Sequence, residues 1–264
     1  MKVICIIPAR FGSKRFPGKA LASETGWPLI QHVYEAARGA RRVDLVVVAT
    51  DDDRIRAAVE AFGGTAVMTA PEHPCGTNRV AEAARAFPEA EIVINFQGDE
   101  PELDPAILDR LVEAMQADPS IEMETVAGPL APEEMNDPNS VKVALGATGD
   151  ALYFSRAMIP WARDGEPSRS RPLLKHFGIY GFRAAALQDY ARMPVSPLEH
   201  TEKLEQLRWL EHGRRVRVLV TDRRPGGIDT PESYAAFVAR YRRKGADLGP
   251  AKRPGARKDL HARQ

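Results

Sequence analysis

Short β-branched runs alternate with stretches of helical period through the first half of the chain. Val3–Ile7, Leu45–Ala49 and Ile92–Phe96 are almost continuously apolar, and runs this short predict strands buried on both faces. Between them, Leu29–Ala40 sets Ile30, Val33, Tyr34 and Ala37 at helical spacing. Asp53–Phe62 predicts a second helix stopped by Gly63-Gly64, followed by a short strand at Ala66–Met68. Thr77–Ala86 and Pro105–Met115 predict two more helices. This alternation implies an α/β fold with a parallel sheet covered on both faces.

The second half is less regular. Val141–Leu145 and Ala151–Ser155 predict a strand pair joined by a turn at Gly149-Asp150, and Phe177–Phe182 predicts another strand. Leu198–His212 predicts one long helix and Val216–Val220 a strand. The last helix is expected over Thr230–Arg242, with Thr230 as cap and Pro231 at the first helical position. Asp164–Pro172 is polar and Arg-rich and predicts a mobile loop. Residues 244–264 are rich in Lys, Arg, Pro and Gly and predict a basic, disordered, solvated tail. No internal repeat is evident. Residues 1–243 are therefore expected to form one domain, with an irregular subregion at about 141–181.

Composition narrows the class. Hydrophobic residues at 44% and charged residues at 28% describe an ordinary globular chain, and 264 residues suffice for a large core without staples. The cysteines, Cys5 and Cys75, are far apart and form no metal-ligand pattern, so a reduced cytosolic protein is expected. A net charge of +1 argues against bulk binding to nucleic acid. The run after Lys2 is ended by Pro8-Ala9-Arg10, too early for a signal peptide, and nothing later reaches membrane-spanning length. A cytoplasmic protein without membrane attachment is expected.

Candidate chemistry lies where strands end. Arg10, Lys14, Arg15 and Lys19 place four cations on the loop after the first strand, with Gly12 and Gly18 allowing close backbone approach. In open α/β sheets that edge is where ligands bind. The loop matches neither the dinucleotide fingerprint nor the P-loop, which excludes both classes, but alone it reads equally well as a solvated basic loop. The strand at Ile92–Phe96 runs into Gln97-Gly98-Asp99-Glu100-Pro101. An aspartate there either holds Mg²⁺ against a triphosphate or closes a turn. Asp229, just before the last helix, is either a helix-start acid or a second metal ligand. In His73–Arg79, a Gly76-Thr77 turn opens a helix and offers backbone N–H groups to an anion. Cys75 has no evident partner base and reads as a turn residue.

The order of these blocks resembles the 3-deoxy-manno-octulosonate (KDO) cytidylyltransferases, also called CMP-KDO synthetases. The distinctive ones are Ile7-Pro8-Ala9-Arg10 with Phe16-Pro17-Gly18-Lys19, Gln97-Gly98-Asp99-Glu100-Pro101, and Ala151-Leu152-Tyr153-Phe154-Ser155-Arg156, and the resemblance spans about residues 3–240. It implies a mostly parallel, Rossmann-like sheet of nucleotidyltransferase type, a homodimer with contacts from about Val141–Gly181, and transfer of CMP from CTP to an acidic acceptor with release of pyrophosphate. Arg10, Arg15 and Lys19 would grip the CTP phosphates, while Ala9, Ser13, Gly76 and Thr77 cradle the nucleotide. Asp99 and Asp229 would hold Mg²⁺. Arg79, Gln97, His176, Tyr180, Glu205 and Gln206 match positions that bind the sugar acid.

Four positions depart from the resemblance. Cys75 stands where the family commonly has a serine, Asn78 where it has an acid, Phe96 replaces a small β-branched residue, and Glu124 replaces a small one. A lost negative charge at Asn78 would suit a more highly charged acceptor. The resemblance makes KDO the leading acceptor, with an amino-KDO or a phosphonate such as phosphonoformate as alternatives that the departures favour. A non-catalytic nucleotide-binding module is the reading from another class, and retention of Arg10, Lys19, Asp99 and Asp229 argues against it.

Overall fold

The structure, a computed structural model, describes residues 2–13, 15–163, 173–222 and 226–247. Its first half runs β1 (Lys2–Ala9), α1 (Leu29–Arg38), β2 (Leu45–Thr50), α2 (Asp53–Ala61), β3 (Thr65–Met68), α3 (Gly76–Ala84), β4 (Ala90–Asn95) and α4 (Pro105–Ala117). Each element overlaps its predicted range. The second half adds β5 (Met123–Pro129), β6 (Lys142–Leu145), β7 (Ala151–Ser155), β8 (Leu174–Arg183), α5 (Ala184–Arg192), α6 (Pro197–Glu202), α7 (Gln206–Glu211), β9 (Arg217–Val220) and α8 (Pro231–Asp247).

The strands join in one sheet of order β3-β2-β1-β4-β8-β5-β9, with β6 pairing β8 and β7. The pairs β2–β3, β1–β2, β1–β4 and β5–β9 are parallel, and β8 runs antiparallel between β4 and β5. The β6–β7 hairpin, also antiparallel, turns at Gly149 as expected. Continuous apolar strands are explained by burial on both sides. Val3, Cys5 and Ile7 point into one core with α1 and α4, whereas Ile4 and Ile6 point into the opposite core with α3 and α5.

The sequence reading misses two elements and fuses two others. Strand β5 is buried, but Glu124, Gly128 and Pro129 interrupt its apolar pattern. Helix α5 follows β8 directly, without a turn signal to announce it. The single helix expected over Leu198–His212 is two short helices, α6 and α7, split at Lys203, whose φ of 53° is left-handed. That conformation costs a non-glycine residue roughly 1–2 kcal/mol, so tertiary contacts must hold the break. The last helix runs past its predicted end at Arg242 to Asp247. The loop predicted at Asp164–Pro172 and the tail beyond Asp247 lie outside the described residues.

One glycine marks a close approach where β4 ends. A Cβ on Gly98 would sit 3.0 Å from the Pro8 carbonyl oxygen, so a larger residue would press this turn away from the end of β1.

Glu124 is the odd residue of the core. It is 1% exposed on β5, and its Oε2 has no hydrogen-bond partner among the described residues. Burial pushes its carboxyl from an ordinary 4.5 to about 8. The folded protein therefore takes up a proton that the unfolded chain releases near pH 4.5. Glu124 costs nothing below that pH, and its cost grows until pH passes about 8. Glu124→Gln is expected to raise the melting temperature by an increment that widens from pH 5 to 8 and then levels, with a slope of at most about 1.4 kcal/mol per pH unit. Thermal unfolding of both proteins across this range checks it; a pH-independent difference would show that the acid has a counter-charge.

Candidate functional site

The sheet order reverses between β1 and β4, and the chain leaves their adjacent C-terminal ends toward α1 and α4 respectively. Open α/β sheets leave a crevice at such a point. Here it holds three connected hollows. One, about 490 Å³, is lined by Ala9, Arg10, Ser13, Arg15, Lys19, Asp99 and Asp229. A second, about 190 Å³, lies under Arg10, His73, Cys75, Gly76 and Arg79. The largest, about 850 Å³, is lined by Asp99, Glu100, Lys175, His176, Tyr180, Glu205, Gln206 and Asp229 among others. Gln97 borders all three, and Asp99 and Asp229 border both larger ones.

At that junction Lys19 Nζ lies 2.8 Å from Asp99 Oδ2 and 3.2 Å from Asp229 Oδ1, and it also donates to the Ile228 carbonyl at 3.0 Å. Arg15 reaches the other oxygen of Asp229 at 2.8 Å. Two cations and two carboxylates from three distant segments thus close one ion cluster. Its backbone is fixed by Ile228 N–H donating to the Asp99 carbonyl and by Ser233 Oγ accepting from the N–H groups of Asp229 and Thr230. Burial pushes the Asp99 carboxyl above its ordinary range, Lys19 opposes the push, and Asp229 adds to it.

The basic loop is held by an aromatic that the sequence reading left out. The Phe11 carbonyl accepts from the N–H groups of Ser13 and Gly18, its ring sits beneath Gly18, and the Arg54 guanidinium stacks 3.4 Å from the ring centroid. Gly18, at φ 72°, then starts the short 3-10 turn that aims Lys19 into the crevice. Its sequence signal was an aromatic between cations.

Opposite this loop, α3 begins at Gly76. Thr77 is buried, its hydroxyl accepts from Asn95, and Gln97 donates to Asn95 in turn. The Thr77 N–H expected to serve an anion donates to Glu205 Oε2 at 3.2 Å. Glu205 therefore caps α3 with one carboxylate oxygen while also lining the large hollow. Arg79 was expected with the acceptor residues but lies on the other side. It is 5% exposed, borders the small hollow, and donates to Thr69 Oγ1 at 2.6 Å and to Asp51 at 3.2 Å.

The large hollow gathers His176, Tyr180 and Gln206 as expected. The His176 and Tyr180 rings are 5.5 Å apart on one face of β8. Burial depresses the His176 pKa to about 3, so the ring is neutral, and its Nε2 meets Thr125 Oγ1 at 2.8 Å. Tyr180 donates to Gln206 Oε1 at 3.0 Å, leaving the buried Gln206 Nε2 without a partner among the described residues. A buried donor without a partner is costly, and a ligand oxygen would relieve it. Glu100, at the same wall, likewise has a buried Oε2 without a partner. Lys175, Arg156 and Lys203 also line this hollow and are the cations an acid could meet there, with Lys175 paired to Glu134 and Arg156 to backbone carbonyls in this structure.

Asn78 borders none of the three hollows. Its Oδ1 accepts from Arg208 at 3.1 Å and from the Cys75 thiol at 3.0 Å, and its Nδ2 donates to the Ala191 carbonyl. The expectation that Asn78 relieves repulsion on a bound acceptor is therefore corrected: this amide is part of the scaffold.

Asp99 and Asp229 suit a hard divalent cation. Both aim an oxygen at one point, where the structure places Lys19 Nζ, and the charge of that lysine does not offset the push on Asp99. No group of three or more His, Cys, Asp or Glu side chains converges among the described residues. Two carboxylates, with phosphate and water supplying the rest, match the habit of Mg²⁺.

A family model described as cytidylyltransferase matches residues 4–216. A 3-deoxy-manno-octulosonate cytidylyltransferase of Anaeromyxobacter sp. is 54% identical over 88% of this chain and 93% of its own length. One from Nitratidesulfovibrio vulgaris is 50% identical over the same shares. A solved structure of CMP:2-keto-3-deoxy-manno-octonic acid synthetase complexed with CTP is 42% identical and superposes with a TM-score of 0.87, covering 92% of this chain and all of that one. A 4-diphosphocytidyl-2C-methyl-D-erythritol synthase from Anaerococcus prevotii is only 13% identical, with a TM-score of 0.61 over 91% of this chain and 98% of its own, and shares the fold.

The ion cluster makes Lys19 and a divalent cation rivals for the same carboxylates. Phosphate oxygens that draw Lys19 away free the pair, so nucleotide and cation should strengthen each other's binding. Lys19→Met is expected to bind Mn²⁺ alone about tenfold more tightly than the natural protein and to lose most of the mutual effect with CTP. Titrations of free Mn²⁺ by electron paramagnetic resonance, with and without CTP, measure both. Unchanged Mn²⁺ affinity in the variant would count against the rivalry.

Proposed function

The chain belongs to the cytidylyltransferase family, among the 3-deoxy-manno-octulosonate cytidylyltransferases, and from that premise we propose that it transfers CMP from CTP to KDO and releases pyrophosphate. The observation that carries the reading is the shared wall. A hollow rich in cations and a hollow of mixed charge meet at Asp99 and Asp229, so a triphosphate in one and a sugar acid in the other would bring reacting atoms together there. Such a reaction belongs to lipopolysaccharide biosynthesis.

In this reading a hydroxyl oxygen of KDO attacks the α-phosphorus of CTP, a new P–O bond forms as the bond to pyrophosphate breaks, and the hydroxyl proton is released to solvent. Positioning and charge neutralisation supply most of the acceleration. Arg10, Arg15 and Lys19 hold the phosphates and stabilise charge on the leaving pyrophosphate. Ala9, Ser13 and the Gly76 turn flank the nucleotide. Gln97, His176, Tyr180 and Gln206 orient the acceptor, with the free Gln206 donor facing one of its oxygens. Glu205 serves both sides, because its carboxylate fixes the start of α3. Asp99 and Asp229 would hold Mg²⁺, which supplies charge neutralisation at the α-phosphate. No covalent enzyme intermediate is expected, since burial pushes the Cys75 thiol well up and makes it a poor nucleophile.

The reading includes a homodimer built on residues 141–181, a stretch whose Leu152 and Trp161 are 67% and 80% exposed. It also includes a cytoplasmic setting; no described helix is long and apolar enough to cross a membrane.

Pyrophosphate release by the purified protein with CTP and Mg²⁺ tests the proposal across KDO, an amino-KDO and phosphonoformate. KDO is expected to turn over fastest, and Asp99→Asn or Asp229→Asn to slow it by about 100-fold or more. Preference for phosphonoformate would keep the chemistry and reject the acceptor. CTP binding without release on any acceptor would reject the enzyme.

A further inference from the structure

We propose that Arg208 is a positioning residue of the acceptor site, holding the junction of α6 and α7 so that Glu205 and Gln206 face the cleft at a fixed distance from the start of α3. The proposal rests on the acceptor hollow assigned above.

Arg208 is 1% exposed, yet it touches no hollow. Its guanidinium makes a two-point pair with Glu199 of α6, at 2.7 and 2.6 Å. A third contact, at 3.1 Å, reaches Asn78 in the first turn of α3. The group also lies 4.5 Å over the ring of Tyr190 on α5. The Tyr190 hydroxyl donates to the Glu205 carbonyl at 3.1 Å, and the Glu205 carboxylate accepts from Thr77 N–H at 3.2 Å. One buried cation therefore ties four helices around the two residues that carry the acceptor contacts.

Those two residues need such support. Helices α6 and α7 have six residues each, too few to persist without tertiary contacts. Lys203, between them, is left-handed. Arg156 holds the Glu202 and Lys203 carbonyls at the break and Leu198 N–H of α6 reaches the Glu211 carboxylate of α7, but neither contact sets the angle of Glu205 and Gln206 relative to α3. A planar fork that pairs with one carboxylate and still reaches a third group does fix it, and a lysine ammonium cannot reproduce that geometry. Asn78 takes its meaning from the same network. With Glu199 already balancing Arg208, the third partner is neutral and can also donate to the Ala191 carbonyl.

Two variants test this. Arg208→Lys keeps the charge and loses the fork. Arg208→Met combined with Glu199→Gln removes both charges, avoids a stranded buried carboxylate, and keeps the polar end that α6 uses in its own cap. Both are expected to raise KM for KDO by about tenfold or more while KM for CTP moves by less than about threefold, because misplacing a positioned group by even an ångström weakens its contacts. In the double variant, hydrogen exchange at the Thr77 amide should quicken by about tenfold while core amides keep their protection. Loss of melting temperature with both KM values unchanged would show a merely structural residue and overturn the proposal. Parallel rises in both KM values, or unchanged Thr77 exchange, would overturn it as well. If the natural protein does not turn over KDO, the acceptor reading fails, and the Thr77 exchange still decides whether Arg208 positions this junction.

Discussion

Two carboxylates drawn from distant segments of the chain must share one point, and like charges in a partly enclosed crevice repel. Asp99 follows β4, and Asp229 precedes α8. Burial raises the Asp99 carboxyl above its ordinary range, and repulsion from Asp229 adds to the rise. Lys19 and Arg15 hold the pair together, and both come from the loop after β1. The arrangement is stable only while positive charge stands between the acids, and it need not be lysine. A cluster that requires a cation without specifying which one is what a site exchanging lysine for a divalent ion needs.

The rest of the fold serves that point. The apolar strands β1 and β4 put two chain exits side by side, and Gly98 lets them touch. Phe11 folds the basic loop back on itself, so that Lys19 arrives from a rigid turn. On the far side, α8 is seated by a separate aromatic cluster in which Phe16 meets Tyr234, with ring centroids 5.5 Å apart, and His32 meets Phe237 at 5.1 Å. Phe16 belongs to the same loop as Lys19. Packing energy in that cluster therefore fixes Asp229 and Lys19 relative to each other, and their charges need not do so alone.

How much of this was legible depended on whether a signal was local. Strands of the parallel half are buried on both faces and announce themselves as apolar runs. The cations of the first loop and the acids at Asp99 and Asp229 stand at strand and helix ends, where general rules place ligands. Strand β5 was hidden because its position between β8 and β9, not its composition, buries it. Arg79 was misjudged because sequence places it one turn into a helix beside a ligand loop, while the fold turns its guanidinium toward Thr69 and Asp51. Asn78 misled for the same reason: proximity in sequence to Gly76 and Thr77 suggested contact with a ligand, whereas its side chain leaves the opposite face of the helix.

The acceptor side shows why the remainder was out of reach. Its residues lie on β8, α6 and α7, and the two helices share one amphipathic pattern that reads as a single helix. The break at Lys203 carries no glycine or proline to mark it, because no local preference makes it. It is held by guanidinium groups from elsewhere in the chain: Arg156 donates to the Glu202 and Lys203 carbonyls at the break itself, and Arg208 pairs with Glu199, 9 positions away, and reaches Asn78, 130 positions away. A left-handed lysine is disfavoured in isolation, so these contacts together must outweigh the cost. Sequence pattern records local preference faithfully. Here the wall proposed to hold the acceptor rests on a place where local preference is overruled.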